Sequence, residues 1–186
     1  MSLRRVLPIV GPALLLAALG LTHPKVLNPA TASWWTTLHV LVLPVFPLLA
    51  LSLWLLLDGL SGVAAWVARV AGYVYAAFYT ALDVLAGIAT GTLVGRGADP
   101  DGGEVDALFE IGNRLGDIGA WSFLAACLAA SIALYQRGGR AVLPGAIVLV
   151  AAAFTFTGSH IYWPIGSRRC WGWRPGSPCS PWGGPG

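Results

Sequence analysis

Only one acid in this 186-residue chain lies in the interior of an apolar run, away from its ends: Asp83. A carboxyl at the centre of a membrane helix costs about 2.5 to 3.5 kcal/mol on insertion scales, so it is expected to face a partner or a ligand rather than lipid. Tyr75 and Tyr79 precede it at intervals of four residues and share its helical face. Their hydroxyls are predicted to donate to the carboxylate, which makes Asp83, Tyr79 and Tyr75 a candidate ligand-binding face. Three histidines, His23, His39 and His160, each fall near the end of an apolar run. If the chain crosses a bilayer about five times, all three lie on the same side as Asp83. His39, His160, Asp83 and His23 then form a nitrogen and oxygen donor set of the kind that holds zinc or another first-row metal. Neutral imidazole is also a haem ligand. The plainer reading of the same residues is interhelical hydrogen bonding and capping of helix ends.

Other chemistries find no support. There is no HExxH, HxxxH or CxxC, and no phosphate-binding loop. Ser159 and His160 are adjacent, and neighbours in sequence do not face one another on a helix. In ligand types the set is similar to that of the membrane zinc hydrolases of the adiponectin-receptor and alkaline-ceramidase type, which use three histidines and an aspartate within seven helices. Here Trp35 rather than serine stands four residues before His39, and the last run carries a single histidine, so the likeness is confined to residue types.

The composition says what must position these groups. Hydrophobic residues make up 56% and charged residues 10% of the chain, with a mean hydropathy of +0.72. Soluble domains carry about 25% charged residues, so an ordinary soluble domain is excluded, as is a disordered chain. The net charge of +3 comes from scattered basic residues, which is no nucleic-acid footprint. The expected partners are the lipid bilayer and either further copies of the chain or a partner membrane subunit.

Apolar runs at 6–22, 36–57, 63–94, 116–135 and 141–163 predict an all-α, polytopic bundle of about five spans over 1–165. The first run is short and holds Pro8 and Pro12 behind Arg4 and Arg5, so it also reads as a signal peptide with small residues near Ala18 and Gly20. Pro44 and Pro47 are expected to kink or unwind the second run. Gly87 and Gly91 form a GxxxG that invites close approach of another helix. In the loop after the third run, Val105, Leu108, Ile111 and Leu115 mark one face of an amphipathic helix, with a Glu110–Arg114 pair outside. Tryptophans including Trp34, Trp35, Trp54, Trp66 and Trp121 are expected in interfacial belts.

The tail, 166–186, is rich in Gly, Pro and Trp without period and is expected to be disordered; its Cys170 and Cys179 could pair in an oxidising compartment. Basic residues at the N-terminus and in the Arg137–Arg140 loop favour a cell-membrane protein with its N-terminus in the cytoplasm and its C-terminus outside. Functionally the residues point to a metal- or ligand-binding site near the outer face. An accessory or scaffold subunit without chemistry and a proton- or substrate-handling protein are the alternatives, and whether the chain is an enzyme is left open.

Overall fold

Proline removes a backbone donor, and the architecture turns on how those losses are met. The computed structural model describes residues 3–159. Helix α1, Leu3–Gly20, runs on through Pro8 and Pro12. Pro12 has no N–H for the carbonyl of Pro8, and the Ser52 hydroxyl of another helix donates to it instead at 3.0 Å. Helix α2 is Ala32–Val42 and α3 is Val45–Leu56. Between them, Leu43 (φ −47°, ψ −49°) and Pro44 (φ −72°, ψ −15°) keep helical dihedrals. The prolines therefore interrupt the hydrogen bonding without turning the chain back. Asn28 and Thr31 lock the approach to α2 by exchanging bonds of 2.9 and 3.0 Å between each side chain and the other's N–H.

Gly59 and Gly62 take positive φ, 70° and 104°, in the turn to α4, a conformation that other residues adopt at a cost. Helix α4, Val63–Leu82, continues into a π-helical segment, Asp83–Ala89, and then into α5, Thr90–Gly95. Helix α6 spans Gly103–Gly138, so the amphipathic segment expected in the loop is the first part of one 36-residue helix. A 3₁₀ turn, Gly139–Val142, returns the chain into α7, Leu143–Ser159, which packs along α6.

Among the described residues, three stretches are long and apolar enough to cross a membrane: Ala32–Leu56, Val63–Gly95 and Gly103–Gly158. Sequence periodicity predicts about five. The difference lies in Val6–Gly20, which is a shorter apolar helix, and in α6 and α7, which join across a tight turn into one apolar stretch. The outward surface is greasy, with Leu14, Trp66, Ile147 and Phe154 all exposed. In water such a surface would be unstable; in lipid it is the natural one.

Helix α4 is the hub, packed along α6 on one side and α3 on the other. Its first half meets an alanine seam: Ala65 and Ala68 against Ala126, Ala129, Ala130 and Ala133. Its second half meets aromatics and glycines. A Cβ on Gly116 would fall 2.8 Å from Leu82 Cδ2, and one on Gly119 would fall 3.0 Å from the Tyr79 backbone nitrogen. Only glycine lets α6 come so close. Arg69 donates from Nη2 to the carbonyls of Leu57 (2.9 Å) and Leu60 (3.1 Å), which satisfies the end of α3 and ties it to α4.

Candidate functional site

Helices α2 and α4–α5 run antiparallel in a register that can be read from their contacts. Gly91 lies beneath Trp35 and Thr36, Gly87 lies beneath the His39 ring, and the Phe46 and Tyr79 rings meet at 4.8 Å. A side chain on Gly87 would overlap the imidazole, so the GxxxG holds a helix close, as its spacing predicts. Asp83, midway between Tyr79 and Gly87, is therefore level with the interruption at Leu43–Pro44. Two carbonyls there lose their helical donors, because Pro44 and Pro47 have no N–H for Val40 and Leu43.

Asp83 is 5% exposed and opens the π segment. Its Oδ2 has no hydrogen-bond partner among the described residues, and neither has the hydroxyl of Tyr75. The expected Tyr75-to-Asp83 bond is thus not made. Tyr75 is instead drawn into an aromatic cluster, with its ring 4.6 Å from Phe123 and 5.5 Å from Tyr79. Tyr79 packs on Phe46 and, at 5.0 Å, on Phe156. The wider i→i+5 winding that begins at Asp83 rotates the remaining turns of the helix away from the even stripe that the sequence suggests.

The π segment also releases a carbonyl. Ala86 O accepts from Thr90 Oγ1 at 2.6 Å and stands 3.4 Å from Trp35 Nε1. Trp35, expected in the interfacial belt, is 3% exposed and sits inside the site. Its position four before His39 was the available signal, since that spacing puts both on one face of α2.

Two of the three histidines come together. The rings of His23 and His39 meet edge to face at 5.2 Å, and both pack on Trp35, at 4.7 and 5.1 Å. Each ring is oriented by a backbone carbonyl 2.7 Å from Nδ1, that of Pro24 for His23 and that of Trp35 for His39. A carbonyl only accepts, so Nδ1 carries the proton and Nε2 the lone pair, the tautomer used by metal-ligating histidines. Burial, and then the neighbouring His39, push the His23 imidazolium down to about 4, against the opposing effect of the Pro24 carbonyl. Rings already in edge contact leave no gap for a porphyrin between them, so the pair suits a compact ion better than a haem.

Among the described residues, no three His, Cys, Asp or Glu side chains stand close enough to hold one ion, so Asp83 does not join the two imidazoles. His160 lies outside the described residues, as do Cys170, Cys179 and the tail. Cys127 is a buried free thiol in the alanine seam. Comparison with protein-family models, curated proteins and solved structures finds no match to this chain.

Proposed function

We propose that the chain is a multi-pass cell-membrane protein of about five spans, N-terminus inside, that binds a small cation at Asp83. The bond from Ser52 to Pro8 favours α1 as a retained span, and the α6–α7 hairpin favours two crossings in the last apolar stretch. One observation carries the functional reading: a carboxyl oxygen buried in an apolar span has no hydrogen-bond partner among the described residues. Isolated charge in lipid is unfavourable, and such residues serve ion or proton paths. The depth of Asp83 matches that of the carbonyls freed by Pro44 and Pro47. A carboxylate level with backbone carbonyls that have lost their helical donors is similar in kind to the donors that membrane transport proteins offer Na⁺ or H⁺. The π winding supports the same reading, because π segments cluster at functional positions.

The test is thermal unfolding of the detergent-purified protein against Na⁺, K⁺, Mg²⁺ and pH, with Asp83→Asn beside it. A cation-dependent rise in unfolding temperature that Asp83→Asn abolishes supports the reading; a pH response alone identifies the proton as the cation. An equal response in both proteins overturns it and leaves a scaffold or accessory subunit.

A second reading has its own observation. The paired tautomers of His23 and His39 favour a divalent first-row metal such as zinc on their Nε2 atoms, with His160 as a third donor. Metal analysis of purified protein checks this: stoichiometric metal that His39→Gln removes is the expected result, and metal-free wild type overturns it.

A further inference from the structure

Two helical turns before Asp83, the bundle is incomplete. Helix α1 packs on α3 and α7 packs on α6, but among the described residues the backbones of α1 and α7 do not come close to each other. Between them lies a cavity of about 250 Å³. Its wall includes Leu16 of α1, Leu49 and Leu53 of α3, Phe123 of α6 and Phe156 of α7. Tyr75 of α4 completes it.

The wall is apolar apart from two hydroxyls, and they differ in state. Ser52 is committed to the carbonyls of Pro8 and Leu48. Tyr75 is fully buried, and its hydroxyl has no partner among the described residues. A buried phenol normally finds an acceptor, and none is present among the described residues, so a ligand in the cavity could supply one if the Tyr75 ring shifts to present its hydroxyl. From this geometry we infer that the cavity binds the ring of an isoprenoid quinone, with a ring carbonyl accepting from Tyr75 and the tail leaving into lipid between α1 and α7.

Three features select this class over other lipids. Depth is the first. Tyr75 lies six residues beyond Arg69, about 9 Å along the helix at 1.5 Å per residue. Arg69 caps the end of α3, at the level where a cation can reach headgroups. The ester carbonyls of a phospholipid stay with its headgroup and do not descend that far. A quinone has no charged headgroup, and its carbonyl can enter the hydrocarbon. Shape is the second. The aromatic wall of Tyr75, Phe123 and Phe156 has ring centroids 4.6 to 6.2 Å apart, which suits a further planar ring. Access is the third. The cavity lies between α1 and α7, so in a bilayer a ligand would reach it from lipid between these helices, and the volume admits a substituted ring but not a long tail.

The experiment titrates a short-tailed benzoquinone into purified full-length protein in detergent and follows tryptophan fluorescence. Saturable quenching is expected in wild type, with affinity about tenfold weaker in Tyr75→Phe, the loss of one hydrogen bond. Ala152→Phe, at the cavity rim, is expected to abolish binding while helical content and unfolding temperature stay at wild-type values. An alkylbenzene of equal tail length, which lacks the carbonyl, is expected not to compete. Non-saturable quenching, equal affinity in Tyr75→Phe, or full competition by the alkylbenzene would each overturn the assignment; the last would make the cavity a seat for any apolar chain.

Discussion

The two halves of α4 are built on opposite terms. Toward Arg69, α4 meets α6 through alanines, and the polar groups at the helix end are answered by a guanidinium that takes two carbonyls at once. Toward Asp83, the same helix widens into a π segment between glycine-lined contacts, and polar atoms of Asp83, Tyr75 and Thr80 are buried without partners among the described residues. Lipid tails supply no hydrophobic drive between helices, so the alanine half is held by close packing and satisfied backbone. The aromatic half packs just as closely yet leaves polar groups open. Closeness alone therefore does not set where this protein can act. The difference is in whether the polar inventory closes, and it closes at one end only.

The sharpest break in this comparison is Gly87→Ala. The new methyl would overlap the His39 ring, so the ring or the helix must move, at a cost of about 1 to 3 kcal/mol. Gly145→Ala, in open space on α7, is expected to be neutral or slightly stabilising. Thermal unfolding of the two variants in detergent checks the pair. Equal effects would mean that the glycine contacts do not set the site.

A second difference is in pH. His23 is protonated below about 6.5 when unfolded, but only near 4 when folded. The unfolded chain therefore binds the extra proton in this window, and stability rises with pH across it. Metal-free protein is expected to keep its full stability above pH 6.5 and to lose it progressively as pH falls towards 4. In His23→Gln the slope in that window should flatten. An unchanged slope would place the titration elsewhere.

Ser52→Ala removes the donor that Pro8 borrows from α3 and is expected to cost about 1 kcal/mol. Its specific sign would be faster proteolysis within α1 while α4 and α6 stay protected. The smallest effect belongs to Arg114→Ala. Its partner Glu110 is one turn away, and both side chains are largely exposed, so the pair contributes at most about 0.5 kcal/mol and should fade in salt.

Much of the frame is legible in the chain alone. The all-helical apolar frame, the burial of Asp83, the approach at Gly87 and Gly91 and the interruption near Pro44 all arise from patterns that apolar surroundings and backbone chemistry impose locally. Other features are not legible because they depend on partners distant in the chain. Trp35 reads as a belt residue until the π segment, α5 and Phe109 of α6 close over it. Tyr75 reads as a donor to Asp83 until Phe123 and Phe156 claim its ring. Nothing in the residues 83–89 announces a π turn, since it is selected by the helices on either side and not by local propensity.

By itself, then, the amino-acid order determined that the helices are apolar enough to suit lipid and which of the few polar side chains would be taken out of water. Those outcomes depend on composition and helical period, which act over a few turns. Which of those side chains meet was left to packing: His23 with His39 but not with Asp83, and Ser52 with Pro8. Such pairings depend on the relative rotation and depth of whole helices, and small residues at their crossings set these to within about an ångström.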